Sequence, residues 1–125
     1  MLAIWSRIFI IVRGADPLSY FSGAFLELRS ELDDGDSEPY GIYARFADHL
    51  ASHRDDDQLW LRSYTFFESL ASGVGSLQDI LVVGLFEPLS EDPELTERLK
   101  RNIGPLSLKL LEDMLSFWAG ESNRP

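Results

Sequence analysis

The segment Leu77-Gln78-Asp79-Ile80-Leu81-Val82-Val83-Gly84-Leu85-Phe86 decides the fold class, because it is the one stretch that reads equally as a buried strand or as a helix enclosed by other helices. A strand needs a partner. No second convincing strand exists to pair with it, so a helix over 77–86 is expected, apolar nearly all round and therefore surrounded by neighbours. Gly84 would then mark a place where another helix comes close.

The segments on either side carry helical periodicity. Before it, Leu59, Trp60, Tyr64, Phe66, Phe67 and Leu70 form a broad apolar stripe that closes at Ser72-Gly73-Val74-Gly75-Ser76. Earlier still, Tyr43, Phe46, Ala47 and Leu50 trace one face from Tyr40 onward, opposite Arg45, Asp48 and Ser52. Asp16-Pro17 reads as a cap followed by a first-turn proline, and Leu18, Phe21, Phe25, Leu28 and Leu32 continue from it as one amphipathic helix. After it, Asp92-Pro93 repeats that start signal, with Glu94 and Glu97 early and Arg98, Lys100 and Arg101 late, which suits the helix dipole. Gly104-Pro105 punctuates the chain, and Leu106, Leu110, Leu111, Met114, Leu115 and Trp118 build a last helix before Gly120 and a frayed tail over 120–125. The expected fold is all-α: a single domain over 1–125, an irregular bundle of five to six helices, with solenoid-like helix pairs as the alternative, for which no repeat of matched residues is visible.

Residues Met1 to Val12 are mostly apolar but interrupted by Ser6 and Arg7, and fall well short of the roughly 20 residues that cross a bilayer. The single early charge lies inside the run rather than before it, unlike a secretory leader. Segment 1–14 is expected to be a first helix or extended piece with Ile8 to Val12 buried. The chain has no cysteine, which excludes disulfides and thiolate metal sites and fits a cytoplasmic location.

The 125 residues carry 21 acidic and 11 basic side chains, a formal charge of -10, with 45% hydrophobic content. Such a field repels phosphate backbones and anionic headgroups, so nucleic acid and membrane surfaces are poor partners and a basic protein is a good one. The carboxylates cluster. Glu31, Asp33, Asp34, Asp36 and Glu38 form one run, Asp55, Asp56 and Asp57 a second, and Glu91, Asp92, Glu94 and Glu97 a third, each at a helix junction. The partner-binding candidates are accordingly Asp33, Asp34, Asp36, Glu38, Asp55, Asp56, Asp57, Glu91 and Asp92, provided the junctions adjoin. The triplet 55–57 has a competing structural role, since carboxylates at a helix start satisfy its free amides.

Catalytic and metal signals are thin. His49 and His53 share a helix face at a spacing of four, but no third ligand accompanies them there, and Ser52 does not face His53. No nucleophile elbow occurs, and Gly73-Val74-Gly75-Ser76 lacks the layout of a phosphate loop. Glu68 and Glu87, beside apolar runs, are the best general acid–base candidates, with pairing to Arg62 or Arg45 as the structural alternative. No enzyme activity, cofactor or metal is expected.

Phe66-Phe67-Glu68-Ser69-Leu70-Ala71 followed by Leu77-Gln78-Asp79-Ile80-Leu81-Val82-Val83-Gly84-Leu85-Phe86-Glu87 resembles a group of small acidic all-helical bacterial proteins, over about residues 40–115. The resemblance implies an immunity-type role, neutralising a toxin encoded nearby; the motif is structural and transfers no catalytic residue. The alternative is a helical adaptor that binds a protein through an exposed apolar patch.

Overall fold

The computed structural model describes residues 17–32 and 38–122, with side chains to 120. The expectations for segment 1–14, for the Asp16 cap, for Asp33, Asp34 and Asp36, and for most of the tail lie outside the described residues. Within them the protein is an all-α bundle of seven helices. These are α1 (Pro17–Ala24), α2 (Leu26–Leu32), α3 (Pro39–Ser52), α4 (Asp57–Ala71), a rod from Gly75 to Leu89, α7 (Pro93–Asn102) and α8 (Pro105–Ser122). The rod has three consecutive parts: α5 (Gly75–Asp79), a π-helical segment (Ile80–Phe86) and α6 (Glu87–Leu89). No described helix is long and apolar enough to cross a membrane.

The expected count of five to six is one short because the helix read as continuous over 17–32 breaks at Phe25. The cause is a long-range hydrogen bond. Arg62 on α4 donates through Nη2 to the Ala24 carbonyl at 2.9 Å, and the Leu28 amide turns instead to the Phe25 carbonyl at 3.0 Å. Phe21 and Phe25, four residues apart on one face, enter one aromatic cluster. Phe25 lies 4.7 Å from Phe46 and 5.2 Å from Phe66 between ring centroids, and Phe21 lies 5.0 Å from Phe46. Phe66 sits in the middle, touching Tyr20 and Tyr43 as well. Edge-on and tilted pairs of this kind add about 0.5–1.5 kcal/mol each beyond their burial.

The deciding segment is helical, as expected, but it winds with a wider turn than the α form. The Glu87 amide bonds to the Val82 carbonyl five residues back. Pro88 supplies a reason: it has no N–H, and in an uninterrupted α-helix its ring would strike the Gly84 carbonyl, so the backbone shifts register just before it. Gly84 is buried against α3, where an added Cβ would lie 3.1 Å from Tyr43 Cβ. Tyr43 thus adjoins Gly84 while Arg54, just past α3, adjoins Asp92 just past the rod, so α3 and the rod run in the same direction. Helix α4 is the return crossing between them. It packs chiefly on α8, and α1 and α2 lie on α3.

Candidate functional site

The parallel course of α3 and the rod carries two of the three acidic runs to one end of the molecule. The link is Arg54, whose Nη2 donates to Asp92 Oδ2 at 2.6 Å and whose Nη1 lies 3.6 Å from Glu94 Oε1. Arg98 on α7 completes the junction. Its guanidinium lies 4.2 Å above the Trp60 ring, donates to the Tyr64 hydroxyl at 3.0 Å and the Arg54 carbonyl at 2.7 Å, and reaches Asp57 at 3.7 Å. Trp60 in turn donates through Nε1 to the His53 carbonyl at 3.1 Å. The carbonyls of His53 and Arg54 are therefore held by the stacked Trp60 and Arg98 side chains.

Several of the candidate carboxylates have structural duties. Asp56 caps α4 by accepting from the Leu59 amide at 3.1 Å, and Asp92 caps α7 by accepting from the Glu94 amide at 2.9 Å ahead of Pro93. Glu38 caps α3, accepting from the amides of Tyr40 and Gly41. It belongs to the other acidic run, of which Asp33, Asp34 and Asp36 are outside the described residues. Asp55 and Glu91 are exposed, as are Asp57 and Glu94. The two runs bring six carboxylates, Asp55, Asp56, Asp57, Glu91, Asp92 and Glu94, against two guanidiniums that reach three of them, Asp57, Asp92 and Glu94, a formal excess of four negative charges. The hydrogen bond from Arg54 holds the Asp92 carboxyl below the usual carboxylate range.

His49 and His53 stack at 4.0 Å between ring centroids beside this junction, and the His53 Nδ1 lies 2.7 Å from the His49 carbonyl. Burial, then the neighbouring His53, push the His49 pKa down. Among the described residues no group of three or more potential ligands gathers around a metal position.

Glu68 is placed otherwise than expected. It pairs with neither Arg62 nor Arg45: Arg62 bonds Glu27 and the Ala24 carbonyl, and Arg45 donates to the Leu32 carbonyl. Instead its carboxylate accepts from the backbone amides of Leu106 (3.1 Å) and Ser107 (2.9 Å) and from the Ser107 hydroxyl (2.8 Å). It caps α8 from a different helix, where free amides and the positive end of the dipole favour an anion. Gly104 makes room for it, since a Cβ there would lie 2.5 Å from the carboxyl carbon. Glu87 remains half-buried on the rod.

Arg54, Trp60 and Arg98 were not singled out as site residues by sequence. Arg54 carries a local signal, standing directly before the aspartate triplet; Arg98 carries none, because its partners lie more than thirty residues away. The fold and site together define an all-helical bundle with an arginine-laced acidic junction. No protein-family model, curated protein or solved structure matches the chain.

Proposed function

We propose that the protein is an immunity-type binder that neutralises a cationic partner protein, a toxin encoded nearby, by seating it on the acidic junction formed by residues 54–57 and 91–94. The observation that carries this reading is the Arg54 bridge to Asp92, which joins two carboxylate runs into one rigid, net-negative surface. Rigidity matters because a surface already ordered loses little entropy when it binds. Exposed carboxylates on it would attract a basic cleft and occupy the positions that phosphates take there. No catalytic step, cofactor or metal enters the reading, and its setting is the cytoplasm.

The test is co-expression with the basic protein encoded beside it and affinity capture at low and high salt. Two variants divide the surface: Asp55→Asn with Glu91→Gln, which spares both helix caps, and Asp33→Asn with Asp34→Asn and Asp36→Asn. Capture of a basic partner, lost in high salt and weakened about tenfold by the first variant, supports the junction. Loss with the second variant alone moves the contact to residues 31–38, and a partner indifferent to salt and to both variants defeats the acidic mechanism.

A further inference from the structure

The exposed face of α8 carries a pattern that the acidic junction does not use. Leu106 is 47% exposed and Phe117 65% exposed, and their separation of eleven residues, about three turns, returns them to within roughly 20° of one another around the helix. Leu110 lies half-buried between them, and Lys109 and Asp113 flank the same face, 3.5 Å apart and mostly exposed. Two further points single it out. Lys109 is one of only two lysines in a chain of charge -10, so the charged pair beside this apolar stripe balances where the chain as a whole does not. Read from the other end, the order apolar at 106, basic at 109, acidic at 113, apolar at 117 keeps its apolar ends and exchanges its charges, so an antiparallel copy sets each charge near its opposite.

We infer that α8 docks antiparallel on α8 of a second copy of this chain, about a two-fold axis near residues 111–112. In that arrangement Leu106 of each copy meets Phe117 of the other, and Lys109 meets the other copy's Asp113, so one patch matches itself apolar to apolar and basic to acidic. An isologous interface requires this of any patch that pairs with its own copy. The apolar contacts carry the association, and the two ion pairs fix its direction.

The experiment is light scattering and sedimentation equilibrium on the full chain over a rising concentration series, at low and high salt. The expected mass rises from 14.2 kDa toward twice that value. Salt should preserve or strengthen the dimer, because it screens the repulsion between two acidic bodies. Phe117→Ser, at a side chain exposed enough to leave folding intact, should weaken association by about tenfold or more. Lys109→Glu should weaken it, and Lys109→Glu combined with Asp113→Lys should restore it. Helical content by circular dichroism confirms that each variant folds. A monomer at every concentration overturns the inference and leaves the stripe to another protein or to residues 1–16; a dimer unmoved by both Phe117→Ser and Lys109→Glu overturns it equally.

Discussion

Glu68 and Gly104 show how much a single side chain can hold. The carboxylate closes the N-terminus of an 18-residue helix from across the bundle, and only a residue without Cβ at 104 leaves it space. Gly104→Ala should therefore push the carboxylate off the Leu106 and Ser107 amides, and Glu68→Ala should remove it. Each is expected to lower the unfolding free energy by about 1–3 kcal/mol, read from urea titration. Glu68→Gln should fall between, because its amide oxygen still accepts while its NH2 faces donors. Acid titration tests the neighbouring charges. Asp92 is held below its ordinary range by Arg54, and Glu27 by Arg62, so both contribute stability that is present above their unfolded values and lost as pH falls through their folded ones. His49, depressed by burial, has the same sign: the folded state binds fewer protons than the unfolded chain. Thermal midpoints should thus decline first as pH drops through the histidine range and again through the carboxylate range, and in Asp92→Asn the second decline should shrink. The pairings of Asp92 with Arg54 and of Glu27 with Arg62 do not follow from neighbouring sequence, since the partners lie 38 and 35 residues apart. The caps at Asp56 and Asp92 were legible because the amides they satisfy lie two or three residues away. Glu68 and its amides are 38 and 39 residues apart, and no local pattern signals that distance.

The helices themselves follow from periodicity, and where they depart from it a tertiary contact is responsible. The segment 77–86 is helical, and its π winding has a reason in Pro88, whose ring would strike the Gly84 carbonyl in an α-helix, while Gly84 itself packs against Tyr43. Helix 17–32 breaks because Arg62 takes a carbonyl that the helix would otherwise use. These are element-scale facts, and Gly84 tests them. Gly84→Val places a branched side chain where even a Cβ lies 3.1 Å from Tyr43 Cβ and 3.3 Å from Ile80 Cγ1. It should destabilise by about 1–3 kcal/mol through overpacking between α3 and the rod, with a lowered urea midpoint and a loosened near-ultraviolet signal from Tyr43 and its aromatic neighbours. Because α3 and the rod together set the spacing of Arg54 and Asp92, the same substitution should also loosen the acidic junction.

At the scale of the whole molecule, charge distribution separates two surfaces with opposite responses to salt. The junction at 54–57 and 91–94 concentrates negative charge, whereas the α8 face balances it. The acidic runs were visible in the sequence as runs; their convergence was not, because it required the parallel course of α3 and the rod, and the two arginines between them are bound to groups far along the chain. If the junction docks a cationic protein, the dissociation constant of that complex across a salt series, for the natural chain and for Asp55→Asn with Glu91→Gln, reports it. The expected affinity falls steadily with ionic strength, and the variant binds about tenfold more weakly and with less sensitivity to salt, because the removed charges are among those being screened. An affinity unchanged by salt and by the variant would contradict it.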